Sequence, residues 1–81
     1  MARYYFHLRD GTEELLDDEG REFGDLEALE KAVLEGARDL IASELRSAGV
    51  VDLRHRIDAE DESGNIACTL PFKSAVTIIP Q

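Results

Sequence analysis

The chain begins with a pattern of alternating side chains that predicts a β-strand with one face in a core. The core face of this strand, residues 3–9, holds three large apolar side chains, Tyr4, Phe6 and Leu8. The opposite face holds Tyr5, His7 and Arg9. Asp10-Gly11 then suits a turn, and a second short strand at residues 15–18 is expected to pair back on the first as a hairpin.

The next segment changes to helical spacing. Asp25 is a good N-cap residue, and Gly49 suits the left-handed position that ends many helices. A helix is therefore predicted from about Leu26 to Ser47. Its apolar side chains fall within one arc of roughly 160°, wide enough to cover a sheet: Leu26, Leu29, Val33, Leu34, Ala37, Leu40, Ile41, Leu45 and Ala48.

Two more strands are predicted after the helix. In residues 54–60 the inward side chains are His55, Ile57 and Ala59, and the outward ones are Arg54, Arg56 and Asp58. A polar turn at residues 61–65 leads to a strand at residues 66–72, whose shared face holds Ile66, Cys68, Leu70 and Phe72. Pro71 cannot donate a ladder hydrogen bond, so this strand ends there or lies at an edge.

The order strand, strand, helix, strand, strand predicts an α+β fold of two layers, an antiparallel sheet with one long helix on one face. Residues 1–81 form one small domain. Residues 74–81 form an apolar, β-prone tail, which we expect to act as an edge strand or as a strand exchanged with another chain.

Composition excludes several classes of protein. The 81 residues include 18 Asp and Glu against 9 Lys and Arg, a net charge of −9, whereas nucleic-acid binding needs clustered basic side chains. No apolar run approaches the roughly 20 residues that span a bilayer. The single cysteine, Cys68, forms no internal disulfide, which fits a reducing compartment. We therefore expect a cytoplasmic protein that binds neither nucleic acid nor membrane.

Ten of the 18 acidic residues lie between Asp10 and Glu30, a segment we call the acidic belt. Its spacing does not fit a calcium loop of the EF-hand type, because Leu15 stands where the glycine is needed when the loop starts at Asp10. Solvated surface is the ordinary interpretation of such a belt. A looser cation site and a docking face for a basic partner are the alternatives.

No motif for catalysis is present. Cys68 is predicted to face the core, away from any group that would lower its pKa. No metalloprotease motif, phosphate-binding loop or dinucleotide fingerprint occurs. The sequence therefore predicts no catalytic residue, no metal and no cofactor.

The most site-like feature is a set of aromatic and basic side chains on the sheet face away from the helix. Bidentate Arg contacts could hold a carboxylate or phosphate there. The alternative is ordinary cross-strand pairing with Asp58 or Glu60. His55, expected to face inward, would be a core histidine paired with Glu44. The candidate anion site consists of Tyr5, His7, Arg9, Arg54 and Arg56.

Several short strings occur in an order that resembles a known family. They are Arg3-Tyr4-Tyr5-Phe6-His7, Arg9-Asp10-Gly11, Asp18-Glu19-Gly20, Asp25-Leu26-Glu27-Ala28 and Ala37-Arg38-Asp39-Leu40. The chain resembles a family of short alphaproteobacterial proteins described only as a domain of unknown function. The resemblance implies a bacterial cytoplasmic domain and brings no activity or ligand with it.

The sequence is compatible with two functions. The first is a non-catalytic protein-interaction domain that binds a protein partner or forms a homodimer, because an exposed apolar tail tends to pair with another chain. The residues expected to self-associate are Val76, Ile78 and Ile79. The second is a module that binds a small anion or ligand on the uncovered sheet face.

Overall fold

A computed structural model describes all residues from Met1 to Gln81 and shows the predicted α+β fold. One antiparallel sheet of five strands lies against a long helix, and a short second helix follows the last strand. In chain order the elements are β1 (Ala2–Arg9), β2 (Glu14–Leu15), β3 (Arg21–Phe23), α1 (Leu26–Ala48), β4 (Arg56–Asp61), β5 (Ile66–Pro71) and α2 (Phe72–Ala75). Neither helix is long and apolar enough to cross a membrane.

The first strand lies inside the sheet and not at its edge. β4 pairs with one side of β1, while β2 and β3 share its other side, and β5 pairs with the outer side of β4. The second strand is shorter than the predicted residues 15–18. Strand β3 was not predicted, since three residues give no recognisable alternation and their pairing with Ala2–Tyr4 of β1 is a long-range contact.

Both ends of the long helix follow the sequence prediction. The Asp25 side chain accepts a hydrogen bond from the Ala28 N–H at the N-cap. At the other end Gly49 has φ 69°, the left-handed conformation that glycine adopts at least cost, and its N–H donates to the Leu45 carbonyl. Local signals therefore determine where α1 begins and ends.

The core lies between α1 and the centre of the sheet. Tyr4, Phe6 and Leu8 pack against it from β1, so the predicted core face of that strand is confirmed. The buried residues of the core come from α1, β4 and α2: Leu29, Val33, Ala37, Ile41, Ile57, Ala59, Phe72 and Ala75.

The C-terminal part of α1 extends beyond this core. Residues 42–48 are all exposed, and Leu40 and Leu45 of the apolar stripe are exposed as well. Glu44 therefore lies in solvent, and its predicted pairing with His55 is wrong. The His55 ring instead packs on Phe72, with 5.5 Å between ring centroids, because β4 begins beside α2.

Strand β4 starts two residues later than predicted. The Asp52 carboxylate accepts hydrogen bonds from the backbone N–H and the guanidinium of Arg54, which closes a turn before the strand. Arg54 and His55 consequently lie outside β4. Ile57 and Ala59 face the helix as predicted.

A register shift changes which way the start of β5 faces. Ala59 pairs with Cys68 but Glu60 pairs with Ile66, so β5 carries one extra residue, Ala67. Residues directly opposite each other in an antiparallel pair share a face of the sheet. Because a bulge adds one residue to one strand, the side chains beyond it point to the face opposite to the one that simple alternation predicts. Ile66 therefore lies on the face away from the helix, contrary to the prediction, and is exposed.

The end of the chain differs from the predicted continuous strand. Phe72 belongs to α2, not to a strand, and its side chain is buried. The Arg38 Nε donates to the Ala75 carbonyl oxygen over 2.9 Å and fixes this helix on α1. Residues 76–81 form no strand within the chain, and their exchange between two copies stays a prediction.

Candidate functional site

The structure brings together four of the five residues of the candidate anion site. Tyr5, His7 and Arg9 lie on the sheet face opposite α1, called the open face below, and Arg56 pairs directly across from Arg9. Arg54 does not join them. Its side chain is 79% exposed in the turn before β4 and binds Asp52.

Arg9 is the centre of the open face. Its Nε donates to the Glu14 carboxylate over 2.8 Å, and its Nη1 donates to Asp58 over 2.8 Å and also to Glu60. Hydrogen bonds to Glu14, then Asp58 and Glu60, raise the pKa of the guanidinium. One carboxylate from β2 and two from β4 thus converge on one cation, which is only 19% exposed.

Asp58 is the buried partner in this cluster, with 1% of its surface exposed. It accepts hydrogen bonds from Arg9, from the Arg56 Nε and from the Thr69 hydroxyl at 2.9 Å. Burial raises the pKa of the carboxyl, but the hydrogen bonds from Arg9 and Thr69 and the charge of Arg56 outweigh burial and hold it below its usual value. The candidate site did not include Asp58. The available signal was an acidic residue at an outward strand position, two residues from Arg56.

The charges of the open face are compensated, so it is not the basic surface that the arginines suggested. Three carboxylates, from Glu14, Asp58 and Glu60, bind two guanidinium groups, from Arg9 and Arg56. An anion at Arg9 would lie beside carboxylates that already bind its Nε and Nη1. The Nη2 of Arg9 and the Nη groups of Arg56 have no acceptor within the chain, and both side chains line an open cavity of about 330 Å³.

Asp17 joins the loop of the acidic belt to β1 and explains the position of His7. Its carboxylate accepts hydrogen bonds from the backbone N–H groups of Phe6, Glu19 and Gly20, in the gap that β2 and β3 leave along β1. Its own N–H donates to the Nδ1 of His7 over 3.1 Å. A ring nitrogen that accepts a hydrogen bond carries no proton, so His7 holds a loop in place through Nδ1.

Gly20 closes this loop against Tyr5. Its φ is 72°, and a Cβ added there would lie 2.8 Å from the Tyr5 Cε2. We expect Gly20→Ala to lower the free energy of unfolding by roughly 1–3 kcal/mol, because both the positive φ and the contact with the ring become strained. Urea unfolding followed by circular dichroism measures the loss.

Gly24→Ala is the matched control, since a Cβ at Gly24 meets no atom within 4 Å. An equal loss of stability in the two variants would contradict the role given to the Gly20 contact.

The acidic belt uses its carboxylates for local turns. Asp10 accepts hydrogen bonds from the Glu13 and Thr12 N–H groups and from the Thr12 hydroxyl, and these lower its pKa to about 2. No group of three or more His, Cys, Asp or Glu side chains has the geometry of a metal site. Asp10 therefore holds the turn after β1, while Asp17 and Glu14 of the belt bind the sheet.

A second concave feature lies on the helix side of the sheet. An open groove of about 680 Å³ runs between α1 and β5, with Leu34, Cys68 and Leu70 among its lining residues. Burial, together with the charge of Glu30, raises the pKa of the Cys68 thiol. A raised pKa leaves little thiolate, which does not favour a nucleophilic role.

Comparison with known proteins gives a family but no activity. Searches of curated proteins and of solved structures each found no match. A family model described as "Domain of unknown function (DUF6894)" matches residues 3–73, from β1 into α2, which includes every residue of the open face described above. The chain therefore belongs to the family of the domain of unknown function DUF6894.

Proposed function

We propose that this protein is a non-catalytic interaction domain whose partner is a second copy of the same chain. The supporting observation is the imbalance between core and surface. Nine apolar residues are buried, while eleven large apolar side chains are exposed: Met1, Leu15, Leu16, Leu26, Leu40, Leu45, Val50, Leu53, Ile66, Ile78 and Ile79. A domain of this size buries only roughly 60% of its unfolded surface by itself, so a second copy that covers part of this surface would stabilise it.

The distribution of charge favours one end of the chain for this contact. All 18 acidic residues lie in residues 1–62, and Lys73 is the single charged residue in residues 63–81. Two copies that each carry a charge of −9 repel each other. The repulsion is smallest where both present this C-terminal segment, which has no acidic residue and includes β5 and the tail.

The three tail residues predicted to self-associate have different surroundings. Val76 is half-buried and packs against the core of its own chain. Ile78 and Ile79 are 70% and 85% exposed. A contact with another copy therefore rests on Ile78 and Ile79, while Val76 anchors the tail.

We expect the chain to be a dimer by light scattering, with twice the monomer mass. Replacing both Ile78 and Ile79 by Ser leaves the core and net charge unchanged. It should raise the dissociation constant at least about tenfold, since each buried Ile contributes about 1.5–3 kcal/mol and tenfold corresponds to about 1.4 kcal/mol.

The matched control replaces Leu15 and Leu16 by Ser, because these side chains are also exposed but lie in the acidic belt. The control should remain a dimer. A monomer for the unmodified chain up to millimolar concentration would refute self-association.

An anion-binding module at the open face has less support, because carboxylates already occupy Arg9. The unpaired Nη groups of Arg56, beside a cavity that Arg9 also lines, favour it. A shift of the Arg56 side-chain NMR signals on addition of inorganic phosphate, with the signals of Lys73 unchanged, would favour this second function.

We place the proposed dimer in the bacterial cytoplasm. The single Cys68 and the resemblance to short alphaproteobacterial proteins support this placement.

A further inference from the structure

We propose that the dimer forms by reciprocal strand addition, in which residues 76–79 of one copy pair with the free edge of β5 of the other. This inference rests on the proposed self-association and specifies its geometry. The same contact then occurs twice about a twofold axis, as in other symmetric dimers.

The free edge of β5 has backbone groups available for a further strand. The Phe72 N–H donates to the His55 carbonyl over 2.9 Å, so these two residues form a hydrogen-bonded pair. Such pairs alternate with non-hydrogen-bonded pairs along antiparallel strands, and the pair of Ala59 with Cys68 is therefore also hydrogen-bonded. The N–H and C=O of Thr69 lie between such pairs and therefore point away from β4. An added strand would satisfy them.

The two edges of the sheet differ in what they offer an added strand. The edge formed by β2 and β3 consists of two short pieces that carry charged residues, which discourage pairing. Strand β5 carries no charge over Ile66–Pro71. The extra residue Ala67 and the missing N–H of Pro71 confine its free edge to a short stretch, which suits a segment of four residues.

The groove beside β5 can accept the side chains of the added strand. Strands in a sheet lie about 4.8 Å apart, so a strand next to β5 would run along the opening of the 680 Å³ groove. Leu34 and Leu70 provide apolar lining there, and Glu27, Glu30 and Lys31 also line the groove. Alternate side chains of the tail would enter the groove and lose their exposure to water.

The tail has the composition of a strand but cannot easily pair with β5 of its own chain. Val76-Thr77-Ile78-Ile79 consists of β-branched residues, which favour strands. Its start is held against α1, because Arg38 binds the Ala75 carbonyl and Val76 packs on the core. The β5 edge of a second copy has no such restriction.

Cysteine cross-linking tests this pairing, because the native Cys68 lines the groove. Thr77, Ile78 and Ile79 are each replaced by Cys in turn, and the proteins are oxidised at low concentration. Adjacent strands bring paired Cβ atoms within disulfide range, so at least one variant should form a covalent dimer on a non-reducing gel. Adding Cys68→Ser should abolish the disulfide between Cys68 of one copy and the tail cysteine of the other. Leu15→Cys serves as a control for random oxidation.

A charge at the β5 edge provides a second test that needs no new thiol. Ala67 is exposed and lines the groove, so Ala67→Lys should leave the fold intact but raise the dimer dissociation constant at least about tenfold. Ser63→Lys adds the same charge in the exposed turn before β5 and should leave dimerisation unchanged. Circular dichroism verifies that each variant is folded.

The outcomes separate this inference from the proposed function. A dimer that cross-links through Cys68 and weakens with Ala67→Lys supports both. A dimer that neither cross-links through Cys68 nor responds to Ala67→Lys overturns strand addition while self-association stands. A monomeric unmodified chain overturns both.

Discussion

Arg9→Met is expected to lower the free energy of unfolding by about 3 kcal/mol at pH 7, because removing one partner of a buried ion pair leaves the other charges unpaired. Methionine keeps much of the length of the side chain and removes the charge. Asp58 is nearly inaccessible to water and Glu60 is 15% exposed, so hydration of these carboxylates does not make up for the lost hydrogen bonds from Arg9. Arg56 remains beside Asp58 and limits the loss. For a domain with a total stability of about 5–15 kcal/mol, the change is large.

Urea unfolding of both proteins at several pH values measures this effect and its cause. Hydrogen bonds hold the pKa of Asp58 below its unfolded value in the native chain, so their stabilisation is present above the unfolded pKa and is lost as the pH falls through the folded pKa. Without Arg9, burial favours the protonated carboxyl. The difference in stability should therefore be largest at neutral pH and shrink as the pH falls through the folded pKa of Asp58.

Arg54→Met is the control for Arg9→Met, because Arg54 forms an ion pair in an exposed turn. Such pairs contribute about 0–1 kcal/mol. Equal losses in the two variants, or a difference that does not depend on pH, would show that Arg9 does not neutralise buried carboxylates.

Phe72→Ala should lower the free energy of unfolding by roughly 3–5 kcal/mol, the usual effect of removing a large aromatic side chain from a core. The Phe72 side chain is 3% exposed and contacts the His55 ring at the start of β4. Its loss leaves a cavity between α2 and the sheet. Thermal and urea unfolding followed by circular dichroism measure the change.

Lys73→Ala is the control for this site, since the neighbouring Lys73 belongs to the same short helix but is exposed. We expect its effect to lie within about 0.5 kcal/mol. A Phe72→Ala protein as stable as the Lys73→Ala protein would show that α2 does not close the core.

The candidate site could be predicted only in part from the sequence. Alternation placed Tyr5, His7 and Arg9 on one face, and they do share it. Alternation also predicts that β4 includes Arg54, because it does not show the hydrogen bonds by which Asp52 closes a turn at that residue. The sequence also offers Asp58 and Glu60 as cross-strand partners, but it does not show that these two side chains of β4 converge on Arg9 together with Glu14 of β2.

The parts of the fold that follow from the sequence depend on contacts within a few residues. The Asp25 cap, the Gly49 stop and the alternation in β1 are of this kind. One helix and a mostly apolar sheet face then admit few arrangements besides two layers. For these features, residues close together in the sequence determine the local structure.

The tertiary structure decided the features that depend on distant residues. The pairing of β3 with β1, the extra residue in β5 and the burial of Phe72 depend on which chain segment lies alongside. The charge balance of the open face is of the same kind, because long-range pairing alone brings Arg9 to Asp58. The sequence by itself thus determined the elements and the class of fold, and the packing of those elements determined which surfaces remain available to a partner.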